Sequence, residues 1–131
     1  MSEISSAIDA ASEGDRICVD GGVYVEDLDF KGKAIEVIGV EGASGTVVRG
    51  TGNGPVVSFV QGETSGALLQ GFTITGGDAK TEYGGGGVFV SSASPTLRQL
   101  DVSGNASWTN GGGLSLVDSA SLVDQVTVSC N

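Results

Sequence analysis

The pattern of hydrophobic and polar positions repeats three times along the chain. Phe72, Leu100 and Val126 occupy the same place in three similar segments, which are residues 69–77, 97–105 and 123–131. Each segment reads apolar, two corner residues, apolar, hydroxyl or acid, apolar, hydroxyl, and then a turn pair. The steps between these residues are 28 and 26 positions. A fixed period of this length indicates a solenoid.

Within each segment the apolar residues alternate with polar ones. Phe72 and Ile74 alternate with Thr73 and Thr75, and this period of two is typical of a strand with one buried face. A second echo places a glycine run and a strand at 85–90 and again at 111–116. We therefore predict three strands and three turns per circuit, stacked as a parallel β-helix of about five rungs. The predicted inward positions are Ile17, Val19, Ile35, Val37, Val47, Val56, Phe72, Ile74, Val88, Val90, Leu97, Leu100, Val102, Leu114, Leu116, Val126 and Val128.

The chain is predicted to form one domain, residues 1–131, with a helix at its start. Residues 2–13 carry apolar side chains at helical spacing, with Ser2 as N-cap and Gly14 at the stop. The helix is expected to cover the first end of the core, and the rungs to occupy residues 17–131. The last rung has no such cap in the sequence, so we expect either a piece of a longer solenoid or a homo-oligomer formed through this end.

Composition removes several functions. The net charge of −10 argues against a nucleic-acid partner, and the absence of histidine removes the commonest general base. Cys18 and Cys130 are expected to lie too far apart to pair. The sequence has no apolar run long enough to span a membrane and no signal-peptide pattern at its N-terminus.

The N-terminal pattern resembles a known superfamily. The residues Ile4, Ala7, Ile8, Ala10, Ala11, Gly14, Asp15, Ile17, Val19, Gly22, Tyr24 and Glu26 are similar to the cap and first rung of right-handed β-helices of the pectin-lyase-like superfamily. The block 85–97 looks like the repeat of large bacterial and archaeal surface or secreted β-helix proteins. The resemblance implies an all-β, right-handed, single-stranded parallel β-helix, a polysaccharide partner, and an extracellular or cell-surface location. It does not select an activity, because the superfamily holds both enzymes and adhesins.

One outward strand face carries the candidate chemistry. Thr73, Asp101 and Thr127 are predicted to form one column there, and Thr75, Ser103 and Ser129 the next. Glu36 is predicted to lie one rung before Thr73 and therefore two rungs before Asp101. The two carboxylates would then be roughly 9.6 Å apart, near the upper limit for an inverting glycosidase. The alternative is a solvated face of β-forming residues. Ice binding is a further alternative, although Asp101 interrupts the threonine column.

Two other groups are candidate sites. Tyr83 and Trp108 are expected on one side of the solenoid, where they either stack on sugars or cover the apolar edge of a turn. Asp27 and Asp29 point to one strand face and could hold calcium, or else are solvated surface. Asn105 and Asn131 are predicted to stack their amides in left-handed turn positions, with Gly77 in the equivalent place.

Two functions from different classes follow. The favoured one is a non-catalytic module with a structural, adhesive or glycan-binding role, which needs no cofactor other than a possible calcium ion. The alternative is a fragment of a polysaccharide-active lyase or inverting glycoside hydrolase. The sequence shows no cluster of aspartates on adjacent rungs and no nearby base, and this favours the module.

Overall fold

A computed structural model describes residues 3–80, 85–107 and 112–131 of the chain. It contains one helix and short parallel strands. These elements are α1 Glu3–Ala10, β1 Arg16–Val19, β2 Gly22–Val25, β3 Leu28–Asp29, β4 Glu36–Gly39, β5 Thr46–Arg49, β6 Val57–Phe59, β7 Leu68–Thr75, β8 Asp78–Ala79, β9 Val88–Ser91, β10 Thr96–Ser103, β11 Ala106–Ser107, β12 Leu114–Val117 and β13 Leu122–Ser129.

The strands stack as a parallel β-solenoid of about 4 turns. The first sheet has the order β1-β4-β7-β10-β13, with β2 and β5 beside it, and a second sheet has the order β12-β9-β6-β3. Leu100 is the register partner of both Phe72 and Val126. The predicted repeat is therefore confirmed, since the three matching segments lie directly on top of one another.

The long strands bend at one residue in the left-handed region. Gly71, Gln99 and Gln125 have φ values of 83°, 52° and 55°. Each strand turns a corner there, and the register pairs skip this residue and resume directly after it. In the preceding circuit this corner is a loop, because β4 and β5 are separate strands that both pair with β7. Glycine is required at 71, where a Cβ atom would lie 2.5 Å from the carbonyl oxygen of Gly39.

The core is a column of aliphatic and aromatic side chains inside the coil. Phe30 and Phe59 stack with ring centroids 4.4 Å apart. Most predicted inward positions are buried, but Val47 was predicted wrongly: Thr46 and Val48 are buried, and Val47 is half-buried. Val48 is the register partner of Ile74, so the loop before β5 shifts the inward phase by one residue, which moves every side chain of a strand to the other face.

The helix covers the first end of this core through Ile4 and Ile8, which are 2% and 0% exposed. In the described residues it spans Glu3–Ala10 and ends earlier than predicted, because the Ser12 N–H already bonds the Asp15 carboxylate. The predicted N-cap, Ser2, lies outside the described residues. Its first turn is capped by the buried Glu26, whose carboxylate accepts the N–H groups of Ile4 and Ser5 at 3.1 and 2.8 Å.

The other end of the helix is held by a cation. The ammonium group of Lys33 donates to the carbonyl oxygens of Ile8, Asp9 and Ala11 at 2.7, 2.9 and 2.8 Å. A negative group at the N-terminus of a helix and a positive group at its C-terminus both interact favourably with the helix dipole. Glu26 and Lys33 therefore stabilise the helix and hold it on the end of the coil.

An asparagine ladder closes the turn after the long strands. The Asn105 side chain accepts the Gly77 N–H and donates to the Ile74 and Ser103 carbonyl oxygens, and Asn131 repeats part of this pattern one circuit later. The stacking of amides was predicted, but the left-handed positions were placed one residue too late. The positive φ values belong to Gly76, Gly104 and Cys130, and the asparagines follow them.

Two further expectations can be compared with the structure. Cys18 and Cys130 are free thiols, as predicted. Within the described residues, no helix has the length and apolar character needed to cross a membrane.

Candidate functional site

The outward face of the first sheet carries the predicted hydroxyl column. Register pairs run Val23, Val47, Thr73, Asp101 and Thr127. Three of these five are therefore the predicted residues, and the column continues toward the cap as valines. The Thr73 hydroxyl donates to the Ala43 carbonyl oxygen at 2.6 Å, so the loop after β4 leans over this end of the column.

The neighbouring column is equally regular. Ser103 pairs with Ser129, and Thr75 pairs with Arg49. Thr75 and Ser103 directly follow Ile74 and Val102, which are register partners. The structure thus brings together all the predicted hydroxyl residues of this face, with Asp101 as the carboxylate between Thr73 and Thr127.

The predicted pairing of Glu36 with Asp101 is wrong. Glu36 aligns with Arg16 on one side and Leu68 on the other, whereas Asp101 aligns with Thr73. The two acids therefore belong to different columns on opposite sides of the Gly71 corner. Glu36 instead accepts a hydrogen bond from the Arg16 guanidinium at 2.7 Å, and this contact raises the pKa of Arg16. The carboxylate pair of an inverting glycosidase is lost with this register.

The two aspartates considered for calcium are engaged in loop contacts. The Asp27 carboxylate accepts the N–H and the hydroxyl of Thr51 at 3.0 and 2.5 Å. Asp29 accepts the N–H of Lys31 at 2.8 Å. The described residues bring no third histidine, cysteine, aspartate or glutamate to this place. Calcium binding at Asp27 and Asp29 stays a prediction. Tyr83 and Trp108 lie outside the described residues.

The second sheet presents a face that the sequence reasoning passed over. Its outward residues pair in the order Asp29, Ser58, Phe89 and Ser115. Phe89 is only half-buried, although Val88 and Val90 on either side of it are 0% exposed. An aromatic ring on an otherwise hydroxyl-bearing sheet face is a surface on which the apolar face of a sugar ring can stack.

A lysine lies near the first residue of this row, two positions after Asp29. The ammonium group of Lys31 donates to the Asp9 carboxylate at 2.5 Å. The hydrogen bond to Asp9 raises the pKa of Lys31, so this lysine stays protonated and paired. It lies at the capped end of the row, beside the helix.

A cleft opens at the carboxyl edge of the same sheet. The loops that follow β6, β9 and β12 line it with residues 62–65, residues 92–94, Asp118 and Ala120, and its volume is about 470 Å³. Because the strands are parallel, their three following loops stack at one edge. The lining consists of hydroxyls, carboxylates, glycine and alanine. We name this the corner cleft.

Backbone contacts fix the walls of the corner cleft. The Ser94 N–H donates to the Glu63 carbonyl oxygen at 2.7 Å, and the Ser94 hydroxyl accepts the Ala120 N–H at 3.0 Å. The Glu63 side chain is 2% exposed and accepts the N–H groups of Gly32 and Gln61 at 2.9 Å each. Three successive loops are therefore tied to one another, and the cleft has its shape before any ligand arrives.

Alternation in the sequence contained the signal for Phe89, because Val88 and Val90 were assigned inward and the residue between them must face outward. The corner cleft had no such signal. Its three loops contribute to one surface only after the strands of different circuits are in register, and the loop after β6 is longer than those after β9 and β12.

These features define the class of the protein. The chain is a parallel β-solenoid with a helical cap, an aromatic and hydroxyl-bearing sheet face, and a polar cleft at the edge of that face. No family model, no curated protein and no solved structure matches the chain.

Proposed function

We propose that the chain is a non-catalytic glycan-binding module built as a right-handed β-helix related to the pectin-lyase-like superfamily. The observation that carries this proposal is the outward row Ser58, Phe89 and Ser115 on the second sheet. A half-exposed aromatic ring flanked by hydroxyls offers sugars both a stacking surface and hydrogen-bond partners. A rigid parallel sheet holds these groups at the fixed spacing of its strands.

A structural argument favours binding over catalysis. Glycoside hydrolysis needs two carboxylates at a defined separation across the scissile bond, and Glu36 and Asp101 lie in different columns. Asp27, Glu26 and Glu63 each accept hydrogen bonds from backbone N–H groups. These three acids therefore hold loops and the cap in place, which is a structural task.

Glycan binding is tested with a glycan array followed by titration of the glycans that are retained. Phe89→Ala should lower the affinity about tenfold, because a central aromatic contact is lost. Val60→Ala is the matched control, since Val60 is 41% exposed directly after β6 and lies outside the Phe89 row. An array that retains no glycan, or an unchanged affinity in the Phe89 variant, would contradict the proposal.

The absence of catalysis is tested separately. Each retained polysaccharide is incubated with the protein, and the products are assayed for new reducing ends and for unsaturated sugars. We expect neither product. Either product, if abolished by Asp101→Ala, would establish the alternative of a polysaccharide-active enzyme.

A further inference from the structure

The corner cleft differs from the Phe89 row in its chemistry, because acceptors dominate its lining. Two carboxylates line it: Glu63 is buried, and Asp118 is exposed. No lysine or arginine is found among the described residues that line it. The remaining polar lining is hydroxyl and backbone. The exposed Asp118 carboxylate therefore favours a ligand that brings hydrogen-bond donors and no negative charge.

Elsewhere in the chain, few lysine and arginine side chains are available to bind an anionic ligand. Of the six lysines and arginines, four are held in contacts elsewhere. Arg16 bonds Glu36, Lys31 bonds Asp9, Lys33 bonds the end of the helix, and Arg98 lies 3.4 Å from Asp124. The net charge of −10 adds a repulsive field for any polyanion.

The cleft is also preorganised at some conformational cost. Ser92 and Asp118 occupy the left-handed region with φ values of 53° and 50°, a conformation that is unfavourable for serine and that aspartate tolerates better. Asp118 is the residue next to Val117, the last residue of β12, so its position is fixed by the sheet. Walls tied by the Ser94 and Glu63 hydrogen bonds reduce the entropy lost when a ligand binds.

We propose that the corner cleft is a subsite for neutral sugar residues, and that Asp118 accepts hydrogen bonds from their hydroxyl groups. This inference rests on the proposed glycan-binding function and narrows its ligand to uncharged glycans. Uronic-acid polymers bind the cleft more weakly because their carboxylates are repelled by Asp118. The Phe89 row lies directly before the cleft along β9, so one extended glycan can occupy both.

The test is an NMR titration of the ¹⁵N-labelled protein with matched hexasaccharides. The neutral probes are cellohexaose, xylohexaose and mannohexaose, and the charged probe is hexagalacturonate. We expect at least one neutral probe to shift the amide signals of Ser94, Asp118 and Ala120. At low salt, hexagalacturonate should bind at least about tenfold more weakly than the neutral probe. This difference in affinity should become smaller as salt screens the repulsion.

Asp118→Asn supplies the decisive variant, because asparagine tolerates the left-handed conformation and only the charge is removed. Affinity for the neutral probe should fall about tenfold, since a charge-assisted acceptor is lost, and hexagalacturonate should bind more tightly than it does to the unmodified protein. Asp20→Asn is the matched control, because Asp20 is exposed in the turn between β1 and β2. It should change both affinities less than about twofold.

The outcomes separate the two proposals. If a neutral probe binds but shifts only the second sheet, or if Asp118→Asn has no effect, the cleft assignment is overturned and glycan binding stands. Equal or tighter binding of hexagalacturonate also overturns the cleft assignment alone. If none of the hexasaccharides binds, this inference is overturned, and an array that also retains nothing overturns the proposed function with it.

Discussion

The last two circuits of the coil carry the same sequence pattern in different surroundings. Val102 and Val128 are register partners in one inward column, yet Val102 is 0% exposed and Val128 is 47% exposed. At the opposite end, Ile4 and Ile8 of the helix cover the column. The difference teaches that a residue of a solenoid is buried by the circuit above it and below it, so its contribution to stability depends on its neighbours as much as on its own identity.

The polar ladder shows the same contrast. Asn105 is 4% exposed and lies between Gly77 of one circuit and Asn131 of the next. Asn131 makes its hydrogen bonds in one direction along the stack and is exposed. Matched substitutions at equivalent positions therefore measure how much each circuit gains from the one that covers it.

The largest difference is expected in the apolar column. Val102→Ala should lower the free energy of unfolding by about 2 to 3 kcal/mol, through lost burial and a residual cavity. Val128→Ala removes the same atoms from a half-exposed site and should cost at most about 1 kcal/mol. Urea unfolding followed by circular dichroism measures both. Equal losses would show that the two valines share one environment and would break the comparison.

The asparagine ladder should give the next largest difference. Asn105→Ala leaves the Gly77 N–H and the Ile74 carbonyl oxygen without their partner in the interior, at an expected cost of about 2 kcal/mol. Asn131→Ala should cost about 0.5 kcal/mol, since water can replace the exposed amide. Urea unfolding followed by circular dichroism measures both losses. Equal decreases in the free energy of unfolding for the two variants would contradict the prediction.

The cap can be weakened without touching the coil. Glu26→Ala removes the acceptor for the N–H groups of Ile4 and Ser5 and should cost about 1 to 2 kcal/mol. Glu26→Gln keeps one acceptor oxygen and should lose less than the alanine variant. Hydrogen exchange at Ile4 and Ser5 reports the cap itself, and we expect faster exchange there in the alanine variant. Unchanged exchange at these amides would show that Glu26 does not hold the helix.

The smallest effect is expected for the surface ion pair between the helix and β3. Lys31 and Asp9 have side chains that are 50% and 54% exposed, and solvent screens such pairs strongly. The pKa of Lys31 is raised above its ordinary 10.5. Any stabilisation is therefore complete below 10.5 and is lost as the pH rises through the raised value. The urea midpoint of Lys31→Ala should be close to that of the unmodified protein at pH 7, and any gap should close at alkaline pH.

The solenoid could be predicted from the sequence because its repeat is carried by core and corner residues. The step from Phe72 to Leu100 and Val126 is visible in the letters, and alternation around Ile74 assigns the inward face. The inward face was predicted wrongly at Val47. The loop before β5 shifts the alternation of inward and outward residues by one position, and the sequence of such a loop has no periodicity that would reveal the shift. The C-terminal end of the helix was predicted a few residues too late, because the hydrogen bond between Ser12 and Asp15 ends the helix early.

The candidate site was less predictable. The hydroxyl columns could be predicted from the repeat, but Glu36 was assigned to the wrong column. The strand of its circuit ends at Gly39, whereas the matching strand of the next circuit continues through Gly71. The corner cleft depends on three loops, of which the one after β6 is longer than the other two. Residues that line one surface only across circuits, such as Glu63 and Asp118, are placed by the register and not by local pattern.

The most direct test of the stacked circuits is the backbone register itself, read from amide and α-proton contacts in the NMR spectrum of the labelled protein. The account predicts contacts of the Asp101 backbone with Thr73 on one side and Thr127 on the other, in the pattern of parallel strands. Contacts of Asp101 with Glu36, or the close pairs of α protons found between antiparallel strands, would contradict it.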